Sequence, residues 1–109
     1  MSEDTQAFVG RIRRGDQAGL EGLMDRYEAR LLRLAAASLG NRADAAEAVQ
    51  DAFVSAWLGI GGYRDGSDLE AWLVTICLNA CRMRLRRRTT EREGLRSLSV
   101  PGRASFRRP

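Results

Sequence analysis

Apolar residues recur in this chain at spacings of three and four, and no stretch alternates apolar with polar for long enough to make a strand. That period restricts the fold to helices packed face against face. The clearest stripe is Leu20, Leu23, Met24, Tyr27, Leu31, Leu34 and Ala35, opened by Asp16 as N-cap and ended by Gly40-Asn41. A short helix precedes it, marked by Phe8, Val9 and Ile12 and closed by Gly15. A third helix carries Asp44 and Glu47 at capping-box spacing and buries Ala45, Ala48, Val49, Ala52, Phe53, Ala56, Trp57 and Ile60. Gly59, Gly61 and Gly62 break it, and Tyr63-Arg64-Asp65-Gly66 reads as a loop. Ser67 with Glu70 forms a second capping box, opening a helix whose buried stripe is Leu69, Trp72, Leu73, Ile76, Ala80 and Met83. This last helix is expected to run to about Arg88, where Thr89-Thr90 weaken it. The expected fold is therefore all-α: a compact bundle of about four helices over residues 1–88, then a flexible, arginine-rich tail over 89–109.

Length and residue content fit one small domain: 109 residues, 44% of them hydrophobic. Histidine is absent, which removes the usual general base, the Ser-His and Cys-His dyads and the commonest metal ligand. Ser38 and Ser55 thus have no partner base, and the glycines of 59–66 lie between helices rather than after a strand, so they form no phosphate loop. No enzyme and no cofactor is expected. Cys77 and Cys81 share a helix face and read as core thiols, since one C-x-x-x-C without histidine is a poor zinc site. The uncharged stretches Ala52–Tyr63 and Ala71–Cys81 are far shorter than the ~20 residues a bilayer span needs. The acidic start Met1-Ser2-Glu3-Asp4 carries no signal sequence, so the expectation is a cytoplasmic chain without membrane insertion.

Charge is unevenly placed. Residues 1–81 hold 8 Arg against 12 Asp or Glu, whereas residues 82–109 hold 10 Arg against 2 Glu. Every basic residue is arginine. An acidic body with a basic end suits a chain that touches a polyanion at one end, and it equally suits a solvated tail.

Two faces remain once the core stripes are assigned. On the third helix Asp44, Glu47 and Asp51 stack at i, i+3 and i+7 beside Gln50, Val54 and Leu58. This acidic rim next to apolar side chains is a docking surface for a basic, partly apolar partner helix, or else an ordinary solvated face. On the fourth helix Thr75, Asn79, Arg82 and Arg86 align at i, i+4, i+7 and i+11, and Arg82, Arg84, Arg86, Arg87 and Arg88 crowd its end. Short polar side chains reach base edges and arginines grip phosphates, so this face points to nucleic acid. Cations complementing a helix C-terminus are the blander account, but five arginines in seven positions exceed that need.

Read in order, three segments resemble the second conserved region of bacterial sigma factors, in the extracytoplasmic-function group. Leu31-Leu32-Arg33-Leu34-Ala35 with Gly40-Asn41-Arg42-Ala43-Asp44-Ala45 resembles that family's "LLRLA…GDRADAED". Asp44 to Trp57 resembles "DAEDLVQETFLRAW", and Leu69-Glu70-Ala71-Trp72-Leu73 through Asn79 to Leu85-Arg86-Arg87-Arg88 resembles "FRAWLxxIARNxxxDxLRRR". The resemblance covers about residues 5–88 and assigns a use to both faces. It implies that Gln50 and Asp51, with Asp44, Glu47 and Val54 beside them, bind the clamp helices of the β′ subunit of core RNA polymerase. It implies that the loop Tyr63, Arg64, Asp65, Gly66, Ser67 and Asp68, with Thr75, Asn79, Arg82 and Arg86, reads the promoter −10 element and holds its opened non-template strand. An anti-sigma factor is a further implied partner.

Departures from the family pattern are Glu70 for an arginine, Leu78 for an arginine and Met83 for an aspartate, each on the helix expected nearest DNA. The residues after Arg88 are expected to be too few for the helix-turn-helix domain that reads the −35 element. Two other functions compete with promoter recognition: an adaptor or inhibitor that occupies the clamp without reading a promoter, and a non-specific nucleic-acid binder working through the arginines alone.

Overall fold

The computed structural model describes residues 3–99, and the side chains of residues 5–91. It is built of four helices: α1 (Glu3–Arg13), α2 (Gln17–Leu39), α3 (Arg42–Leu58) and α4 (Leu69–Ser99), with a 3-10 turn at Ile60–Gly62 after α3. There is no strand among the described residues.

The core is one cluster fed by all four helices. Leu23, Leu31, Ala35 and Leu39 of α2 meet Ala45, Ala48, Val49, Ala52, Phe53 and Ala56 of α3, with Val9 and Ile12 of α1 and Leu69, Leu73, Cys77 and Cys81 of α4. Four alanines on the buried side of α3 let its backbone lie close to both neighbours. Close approach is sharper between α1 and α2. A Cβ at Gly19 would stand 2.6 Å from the Phe8 carbonyl oxygen, and one at Gly22 would stand 2.3 Å from the Phe8 ring. Only glycine permits α1 to lie this near, and so fixes where the end of α1 falls.

Asp16 caps α2 as the sequence predicts, accepting from the Ala18 amide at 3.0 Å. The other two caps are shifted. Asn41, not Asp44, caps α3, accepting from the Asp44 amide at 2.8 Å. Its side-chain amide donates back to Asp44 Oδ2 at 3.0 Å, so Asp44 is the third residue of the box and not the first. Asp68, not Ser67, caps α4, accepting from the Ala71 amide at 3.2 Å. Ser67 turns the other way and donates to the Arg64 carbonyl at 2.6 Å, closing the preceding turn.

The buried row of α4 also differs from the predicted stripe. It runs Leu69, Leu73, Cys77, Cys81 at strict four-residue steps, while Trp72, Ile76 and Ala80 are half-buried. Met83, expected in the core, is 58% exposed. It lies at the edge of the buried row, in an open groove beside Asp51 and Ser55 of α3. α4 does not end near Arg88 but continues as helix through Thr89 and Thr90 to Ser99. Thr89 stays helical by donating its hydroxyl to the Leu85 carbonyl at 3.1 Å, and the Leu, Arg and Glu residues around it are strong helix formers. Of the predicted flexible tail, residues 89–99 are thus helical and residues 100–109 lie outside the described residues.

Candidate functional site

The acidic start of α3 and the arginine end of α4 are not two separate faces, because the fold presses them together. Arg84 pairs with Glu47 and lies 3.9 Å from Asp44, and Arg88 pairs with Asp44. Arg88 also donates to the Leu39 carbonyl at 3.2 Å, so one guanidinium ties the end of α2 and the start of α3 to α4. Hydrogen bonding from Asn41, then from Arg88, holds the Asp44 carboxyl below its usual range. Two of the five clustered arginines are therefore answered within the chain.

Further along α3 the surface opens. Gln50, Asp51, Val54 and Leu58 are exposed, with Leu58 at 77%, and Asp51 has no ion-pair partner among the described residues. Asp51 and Ser55 form one wall of a groove of about 310 Å³, whose other wall is Ile76, Asn79, Ala80, Met83, Arg84 and Arg87 of α4. This groove brings Asp51, the last carboxylate of the acidic rim, opposite Asn79 of the polar α4 face. Sequence spacing places each on its own helix but says nothing of this juxtaposition.

Thr75, Asn79, Arg82 and Arg86 share an exposed face of α4, as their spacing predicts. Asn79 Oδ1 accepts from Arg82 at 3.0 Å, and the Thr75 hydroxyl donates to the Ala71 carbonyl at 3.0 Å. Both pairings are local, and both side chains remain on the surface.

The loop before α4 is an ordered turn. Gly66 adopts φ of 84°, the left-handed conformation that only glycine takes without strain. Arg64, Asp65, Gly66 and Asp68 are exposed and Ser67 is half-buried. Tyr63 differs from the expectation that it faces a ligand. It is 3% exposed, its hydroxyl donates to the Ser67 carbonyl at 2.7 Å, and its ring lies 5.2 Å from Trp72 at a 59° tilt. Burying the aromatic ring anchors the loop to the core, so Tyr63 shapes this segment from beneath. Beside the loop, Thr5, Arg26 and Tyr27 join Gly66, Ser67, Asp68 and Glu70 around a mostly polar cup of about 430 Å³.

Three arginines organise this region, and the partner of each carries no mark in the sequence. Arg13 bonds to Asp65 at 2.6 Å and to the Tyr63 carbonyl at 2.9 Å. Arg30 pairs with Glu70, answering the carboxylate that departs from the family pattern. Arg84 holds Glu47. Each pairing joins different helices or a helix and a distant loop, and among eighteen arginines nothing local singles out these partners.

Cys77 and Cys81 are free and buried, consistent with core thiols. Burial, aided by the neighbouring Cys81, pushes the Cys77 thiol up to about 12. No cluster of metal-ligating side chains and no helix long and apolar enough to cross a membrane occurs among the described residues.

The Sigma-70 region 2 family matches residues 23–91. The chain is 40% identical over 73 residues to the ECF RNA polymerase sigma factor SigM of Mycobacterium tuberculosis, covering 67% of this chain and 37% of that protein. It is 29% identical over 83 residues to the RNA polymerase sigma-H factor of Pseudomonas aeruginosa, covering 76% and 43% respectively. The chain thus spans about two fifths of the length of these curated relatives. Its fold is similar to an engineered region 2 of sigmaE, solved by NMR in complex with GTAAAA. That likeness has a TM-score of 0.75 and 26% identity, over 84% of this chain and 97% of that one. Four packed helices, the order of the sequence segments and the match across residues 23–91 together place this chain in the Sigma-70 region 2 family, alongside the ECF sigma factors.

Proposed function

We propose that this domain docks on core RNA polymerase through α3 and reads the promoter −10 element with the loop 63–68 and α4. The reading is carried by the likeness, over 84% of this chain, to an engineered sigmaE region 2 in complex with GTAAAA. The docking surface is Gln50, Asp51 and Val54 extended by Leu58, an acidic and apolar strip suited to a basic coiled coil of the β′ clamp. Asp44 and Glu47 flank it and are already engaged by Arg84 and Arg88.

For DNA, Gly66, Ser67 and Asp68 line the cup, exposed Arg64 and Asp65 precede them in the loop, and buried Tyr63 supports the loop from beneath. The cup receives one base extruded from the non-template strand. Unstacking that base costs a few kcal/mol, which contacts in the cup recover. Thr75, Asn79, Arg82 and Arg86 follow the strand along α4, polar groups toward base edges and guanidinium groups toward phosphates. The domain itself performs no covalent step. It works in the cytoplasm, where polymerase makes the RNA, and an anti-sigma factor covering either surface would switch it off.

The test is capture of purified core RNA polymerase by the wild-type chain and by Asp51→Arg. Capture lost on substitution, with the thermal melt unchanged, supports docking at the clamp. No capture by a folded wild type overturns it. Capture without any preference among single-stranded DNA sequences would instead identify an adaptor or inhibitor that occupies the clamp.

A further inference from the structure

We infer that Arg13, the last residue of α1, is a positioning residue for the DNA-reading loop. This rests on the proposal that residues 63–68 contact promoter DNA. Arg13 lies ahead of the segment matched to the family, which begins at residue 23. Its guanidinium donates through Nη1 to Asp65 at 2.6 Å and through Nη2 to the Tyr63 carbonyl at 2.9 Å. One planar group with its donors in a fixed fork thus holds a side chain and the backbone of the same loop through two different nitrogens, a geometry that the single nitrogen of a lysine does not reproduce. The hydrogen bonds from Tyr63 to Ser67 and from Ser67 to Arg64 are internal to the loop. The buried Tyr63 ring anchors its first residue against Trp72, while Arg13 reaches the exposed turn at Asp65. Asp68 fixes only its far end, at the start of α4.

Two consequences follow for a bound strand. Asp65 is 69% exposed on the rim of the loop, and an unanswered carboxylate there repels phosphate. Arg13 cancels that charge and also fixes the turn in one position before DNA arrives, so binding need not order it. The reach of Arg13 depends in turn on the close packing of α1 at Gly19 and Gly22.

The experiment selects from single-stranded DNA carrying a randomised hexamer, using the full chain, and compares enrichment of the preferred hexamer over the pool mean. Arg13→Ala is expected to lower that enrichment about three- to ten-fold, the range for one exposed charged pair plus one charge-assisted hydrogen bond. Arg13→Lys, which keeps the charge but only one of the two bonds, should recover part of it. Arg14→Ala, an equal loss of charge next door, should weaken binding to every sequence alike and leave enrichment intact. The effect of Arg13→Ala should also shrink in an Asp65→Ala background. If Arg13→Ala lowers the melting temperature too far to assay, Asp65→Asn tests the same contact from the loop side and should reduce enrichment in the same direction. A wild type that enriches no hexamer overturns the promoter reading and this inference together. A wild type that enriches one, with Arg13→Ala or Asp65→Asn enriching it equally, overturns the inference alone.

Discussion

The first and second halves of the acidic side of α3 are alike in sequence and opposite in structure. Asp44 and Glu47 face the end of α4, where Arg84 and Arg88 answer them. Asp51, one turn on, stands at the mouth of an open groove beside exposed Val54 and Leu58. Spacing at i, i+3 and i+7 aligns three carboxylates, but what crosses over them decides whether they hold the fold together or greet a partner. The first two make a seam between helices and the third marks a surface.

The largest expected effect that can break this contrast is on polymerase binding. Asp51→Arg should weaken it by about a hundredfold, since a reversed charge at a desolvated contact costs several kcal/mol. Glu47→Gln should change it by less than about threefold, because its carboxylate is already paired. A titration of core polymerase against both variants checks this, and equal losses would erase the distinction. The next effect lies in the salt dependence of DNA binding. With Arg84 and Arg88 engaged, Arg82, Arg86 and Arg87 remain to meet phosphates. The log–log slope for single strands should then be about −2, against about −3.5 if all five arginines were available. Affinities measured across a tenfold range of salt separate the two.

Stability effects are smaller. Asn41→Ala removes the cap that starts the seam and should cost about 1 kcal/mol, read as a shift in urea midpoint at constant slope. The smallest effect is that of acid. Asp44 titrates below its ordinary range in the folded state, so its contribution is present above the unfolded value and is lost as pH falls through the folded one. Wild type should therefore lose melting temperature below about pH 4, while Asp44→Asn, starting lower, should lose less. Melts at descending pH check the difference.

Much of the fold could be read from residue spacing. The stripe from Leu23 to Ala35 and the alanine-lined face of α3 follow a period that solvent imposes on any amphipathic helix, so they needed no knowledge of neighbours. Caps were legible only to within a few residues, because Asn41, Asp44, Ser67 and Asp68 can all accept from a backbone amide and only the chain path selects among them. Met83 was misplaced for a related reason: an apolar residue on the edge of a stripe is buried only if some helix covers that edge. The site was legible as two faces but not as one groove; Arg84 was legible only as part of a cluster, and Arg13 and Arg30 were hidden among identical residues. Arg13 acts on a loop fifty residues away, and no local pattern could carry that information.

The two buried thiols give the domain a clock. Cys77 and Cys81 are its only cysteines, set in the row by which α4 meets the core, with the Cys77 sulfur 3.9 Å from the Leu31 carbonyl. A thiol so shielded, and raised to about 12, reacts with an alkylating reagent only while the bundle is open. The labelling rate at fixed pH then counts how often α4 lifts away from α2. A partner that grips both α3 and α4 slows that count, and one that grips α3 alone leaves it running.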